Sequence, residues 1–148
     1  MMEKLPPLEK IYEAYSAIAD QRVILKQDHG EVFSSDRSKS YTISFEGNVY
    51  SSNDNSSYWQ GYAGYPIIAV LMLQDRLPLN METAANFKDI NWHALNKEYK
   101  RDYGSAAKAA MKERGLDPAA VEKEAQKVYD ALKDLDIIIK RGKLRPAK

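Results

Sequence analysis

The sequence contains no cysteine. Disulfides, thiolate zinc sites and thiol nucleophiles are excluded. A small chain without disulfides fits a reducing compartment, and we read the protein as cytoplasmic. Histidine is nearly as scarce: only His29 and His93 are present. Neither has a partner at metal-ligand spacing, so no metal site is read, and each is taken as an ordinary surface or half-buried residue. Long hydrophobic runs are missing as well. The longest, Ile67 to Leu73, is seven residues, against the roughly 20 that span a bilayer. Met1 to Pro7 is broken by charge and proline before any apolar stretch develops, unlike a secretion signal. No membrane segment is expected.

An excess of one charge is also lacking. The chain has 22 Lys and Arg against 21 Asp and Glu, a formal net charge of +1. That creates no overall pull toward nucleic acid or an anionic membrane. The balance hides an asymmetry, since residues 1–96 hold 8 cationic and 12 acidic side chains and residues 97–148 hold 14 and 9. A helix-rich half with solvated lysines explains this without an interaction face.

Catalytic signatures are absent too. Gly61-Tyr62-Ala63-Gly64 lacks the lysine and the setting of a phosphate-binding loop. No Gly-x-Ser-x-Gly turn occurs. Asn53-Asp54-Asn55 begins like a calcium loop but lacks the glycine and the glutamate that complete one. No cofactor and no catalytic residue is assigned.

What is present is an ordinary globular composition over 148 residues, 44% hydrophobic and 29% charged, enough for one domain with a real core. After Pro6-Pro7, apolar residues from Leu8 to Ala19 recur at helical spacing, with Glu9, Lys10, Glu13 and Ser16 on what reads as the outer face. Val23 to Leu25 is β-prone, Asp28-His29-Gly30 reads as a turn, and residues 31–35 as a second strand. Ser40 to Glu46 alternates strictly. Gly47-Asn48 makes a two-residue hairpin, with Val49 to Ser52 returning so that Phe45 faces Tyr50 and Ile43 faces Ser52.

A helix should then open near Tyr58, capped by Asn55 or Ser56, and be kinked or broken before Pro66. Ile67 to Leu73 is apolar on all sides and is expected to be the buried central helix. Asn80 caps a short helix over Met81 to Lys88. Apolar spacing from Trp92 to Ala110 predicts one long helix, bent at Gly104 and ended by Gly115. Asp117-Pro118 starts another, which pairs with it. Ile137 to Ile139 reads as an edge strand or an extended tail. The fold class is α+β: an N-terminal helix, an antiparallel meander of three to four strands, a buried central helix, about three further helices and a C-terminal strand or tail. It is read as a single domain over 1–148, with 141–148 a flexible basic tail.

One stretch carries a functional reading. Small polar residues from Ser51 to Ser57 lead into a helix start, where free N–H groups favour anions. The tyrosines and tryptophan that follow could wall a pocket. The binding candidates are Ser51, Ser52, Asn53, Asp54, Asn55, Tyr58, Trp59 and Tyr62. A capped helix packed on the sheet explains the same residues without any site. Two functions are kept open. One is a binding or interaction module, whose occupant is a protein partner, a second copy of the chain or a small anion. The other is a small enzyme acting on a phosphorylated or carboxylated ligand, with Asp54 as base and Ser52 and Asn53 as contacts. Nucleic-acid binding through the cations of residues 140–148 is the weakest reading, since no stacking aromatics interleave with them.

Overall fold

A computed structural model describes residues 4–146; Met1, Met2, Glu3, Ala147 and Lys148 lie outside the described residues, and so does the end of the tail expected over 141–148. The elements in order are helix α1 (Glu9–Ala19), strands β1 (Val23–Leu25), β2 (His29–Phe33), β3 (Ser40–Glu46) and β4 (Val49–Ser52), helices α2 (Asn55–Gln60), α3 (Tyr65–Leu73), α4 (Met81–Ala85), α5 (Trp92–Glu98), α6 (Tyr103–Glu113) and α7 (Pro118–Asp134), and strand β5 (Ile138–Ile139). The fold is α+β.

The sheet has the spatial order β1-β2-β3-β4-β5. Its first four strands form the expected antiparallel meander, and Phe45 opposes Tyr50 while Ile43 opposes Ser52. Ile138 and Ile139 add to the edge of β4 in parallel, which makes the sheet mixed. One face packs on α3, where every residue from Pro66 to Met72 is buried. Gly30 sits under this helix, and a Cβ there would come within 2.9 Å of Val70 Cγ2. So Gly30 belongs to strand β2 and lets helix and sheet approach. The turn lies earlier, closed by Lys26 N–H donating to the His29 carbonyl at 2.8 Å.

On its other side α3 meets α1, which also touches α4, α6 and α7. The outer face expected for α1 is therefore wrong: Lys10, Glu13 and Ser16 are all buried. Ser16 Oγ donates to the Phe87 carbonyl and accepts from Trp92 Nε1. With neighbours all round, α1 has no solvent face along these residues, and its polar groups find partners inside.

Four boundaries also differ. Asp54 caps α2, accepting from Ser57 N–H, in place of Asn55 or Ser56. Gly61, at φ 75°, stops α2 four residues ahead of Tyr65, the first residue of α3. Helix α4 ends at Ala85, and the chain turns through residues 86–89 with Asp89 at φ 62°. The long helix expected from Trp92 is two helices. Lys100 and Arg101 take φ 53° and 66°, and Asp102 then caps α6 through the Ser105 N–H. Four helices follow α3 as a result. No helix among the described residues is long and apolar enough to cross a membrane.

Candidate functional site

The break between α5 and α6 and the break between α2 and α3 face the same side of α1. Between them lies a cleft of about 770 Å³, within the range that holds small ligands. Its residues come from four separate parts of the chain.

Helix α1 supplies Lys10 and Glu13, one turn apart on its buried polar side. Lys10 Nζ is 3.4 Å from Glu13 Oε2 and stands 4.4 Å from the centre of the Tyr103 ring. Asn96 Nδ2 donates to Glu13 Oε1 at 3.3 Å. Burial pushes the Glu13 carboxyl above its ordinary value, and Lys10 offsets this only in part. Burial opposes the charge on Lys10, but Glu13 and the tyrosines Tyr103 and Tyr62 outweigh it and hold the ammonium above its usual value.

Arg22, between α1 and β1, is the deepest cation, at 1% exposure. Its Nη1 donates to the Phe33 carbonyl at 2.8 Å and its Nε to Asp20 Oδ2 at 3.3 Å. Its Nη2 is buried and has no hydrogen-bond partner. Leaving a buried charged donor unpaired costs more than about 1–3 kcal/mol; the Tyr15 hydroxyl, in the core away from the cleft, is likewise without a partner. Next to it, Tyr41 and Tyr65 meet edge to face at 6.3 Å. Burial drives the Tyr65 hydroxyl far above its ordinary value. The rim is cationic: Lys39 from the β2–β3 turn, Lys97 from α5 and Arg101 from the α5–α6 break. No ion pair is formed by these three among the described residues.

The residues singled out in the sequence divide here. Asp54, Asn55, Trp59 and Tyr62 line the cleft; Ser51, Ser52, Asn53 and Tyr58 do not. Asp54 is buried and its carboxylate is fully engaged, accepting from the Ser52 hydroxyl and from Ser57 N–H. The first turn of α2 is thus already satisfied by a carboxylate. Asn53 Oδ1 accepts from Thr42 N–H at 2.8 Å and braces the sheet. Ser51 lies against Gly142, where a Cβ would come within 2.9 Å of its Oγ. Tyr58 and Tyr62 are buried, whereas Trp59 is 55% exposed. His93 joins the cleft from the start of α5. Among the described residues no His, Asp and Glu side chains converge as a metal site requires.

Residues 3–138 match the family described as Uncharacterised conserved protein UCP014422. The chain belongs to this family. The match takes in all four segments that build the cleft and stops before Arg141. No curated protein and no solved structure matches the chain.

Proposed function

We propose that this family member is a single-domain binding protein whose cleft takes a small anionic ligand, a phosphate or a carboxylate. The observation that carries the reading is Arg22 Nη2, buried at the cleft without a partner. A ligand oxygen would complete it once the side chains that cover this nitrogen give way. Lys39, Lys97 and Arg101 supply the surrounding positive potential, while the Lys10 charge is already matched by Glu13. A buried cation such as Arg22 attracts an anion more strongly than a solvated one does, and the exposed Lys97 and Arg101 add a longer-range attraction. An interaction module built on a flat aromatic patch has less support, because Tyr58 and Tyr62 are buried and only Trp59 projects.

The test is thermal unfolding in the presence of inorganic phosphate, sulfate and acetate. A ligand that binds only the folded state at a hundred times its dissociation constant stabilises by about 2.7 kcal/mol. At least one anion should raise the midpoint in a saturable way. Arg22→Met should abolish the rise, and the rim pair Lys97→Ala and Arg101→Ala, which leaves the core intact, should weaken it. A midpoint indifferent to all three anions, or an equal rise in Arg22→Met, overturns the reading.

A further inference from the structure

Trp59 stands apart from the aromatic residues around it. It is 55% exposed on a six-residue helix whose neighbouring Tyr58 is buried. Exposed single aromatics are common, but an exposed ring is normally free to turn. This one is held. Tyr58 meets it edge to face at 4.7 Å. The guanidinium of Arg141 lies 5.1 Å from the centre of the Trp59 ring and 5.2 Å from that of Tyr58. Arg141 itself is fixed, its Nε donating to the Tyr58 carbonyl at 2.8 Å. The indole is therefore held by Tyr58 and Arg141 while more than half of it stays open.

Trp59 also forms the ridge between two hollows. On one side is a smaller one of about 330 Å³ that Arg141 lines, and on the other is the cationic cleft. A clamped, half-open indole at the mouth of a cationic cleft is a platform for a planar ring. The charge of the cleft speaks to the rest of the ligand. Its lining has five Lys and Arg against Glu13 and Asp54, and both acids are already engaged inside the protein. With Asp20, which pairs with Arg22 beside the lining, counted as well, the surplus is two positive charges, which suits a dianion better than a single carboxylate.

Resting on the anion-binding reading above, we infer that the cleft takes a phosphomonoester bearing a planar ring, of the mononucleotide class, with its phosphate toward Arg22 and its ring stacked on Trp59. Stacking is tolerant of ring identity. The ridge should therefore discriminate ring from no ring more strongly than one base from another.

The experiment is calorimetric titration of the full chain with AMP, GMP, CMP, UMP and ribose 5-phosphate, followed in parallel by tryptophan fluorescence. At least one nucleotide should bind about tenfold more tightly than ribose 5-phosphate, the modest end of what one stacked ring supplies. That nucleotide should quench the exposed Trp59 while ribose 5-phosphate does not. In Trp59→Ala the margin of that nucleotide over ribose 5-phosphate should vanish, and Trp59→Phe should keep part of it. If all five bind alike, or the margin survives in Trp59→Ala, the stacking inference is wrong and anion binding stands. If none of the five binds the stacking inference fails, and if inorganic phosphate, sulfate and acetate do not bind either, both fail.

Discussion

The two ends of α3 are both polar, and both place an arginine beside tyrosines of the sheet. At the C-terminal end, Arg76 is closed off. Its Nη1 donates to the Tyr50 hydroxyl at 2.8 Å and its Nη2 to Asn48 Oδ1 at 2.7 Å, and that hydroxyl donates on to Gln74. Both terminal nitrogens of Arg76 have an answer from the protein. At the N-terminal end, Arg22 bonds to Phe33 and Asp20 and leaves Nη2 unanswered. The same side chain thus seals one end of the helix and leaves the other open. The two arginines differ in how completely the protein answers their terminal nitrogens.

Four measurements would break or sharpen this contrast. The largest effect should come from the helix shared by both ends. Leu71 is fully buried, and Leu71→Ala should cost about 3 kcal/mol of unfolding free energy in urea, with both ends loosened together. Gly64→Ala acts at the open end alone. A Cβ there would collide with the Asp54 carboxylate and come within 2.9 Å of Ser57 Oγ. It should cost about 2 kcal/mol and weaken anion binding, leaving the Tyr50 network intact.

The two arginines come next. Arg76→Met should cost about 1 kcal/mol for its lost hydrogen bonds and leave the anion response untouched. Arg22→Met should cost a similar amount despite deeper burial, because the stranded Nη2 leaves with it, yet it should erase the response. A cost for Arg22→Met several times that of Arg76→Met would mean that Nη2 is not stranded, and the contrast would collapse.

The smallest effect concerns pH. The Glu13 carboxyl is raised above its ordinary 4.5 by burial, so the folded state binds a proton that the unfolded state has released. Its contribution to stability is complete below 4.5 and is lost as pH climbs through the raised value. Glu13→Gln should flatten that part of the stability profile. An unchanged slope would assign the titration to another group.

The hairpin was legible in the sequence down to its register. Strict alternation over Ser40 to Glu46 and the Gly47-Asn48 turn leave only one pairing that keeps Ile43 and Tyr50 inside. The all-apolar run of α3 and the Asp117-Pro118 start of α7 were equally plain. The break between α5 and α6 was not. It rests on two left-handed residues, Lys100 and Arg101, whose type gives no warning, while the apolar spacing runs on across it. The cleft was hidden for a different reason. Lys10 and Glu13 look like any solvent-facing helical pair until α3, α4, α6 and α7 enclose α1. Burial of that kind is decided by contacts distant in sequence, and local periodicity carries no trace of it. Of the loop and helix start singled out from sequence, four residues reached the cleft and four were spent on bracing the sheet and packing.

The clamp on Trp59 ties assembly to the order of synthesis. Tyr58 and Arg141 are separated by 83 residues. At roughly 5–20 residues per second, the indole, one residue nearer, is made about 4–16 s ahead of the arginine that fixes it. The strand that brings Arg141 there, β5, joins the sheet only after α7 has been made. Synthesis therefore delivers Trp59, and the elements of the cleft up to Tyr103, before the segment that holds the ring in place.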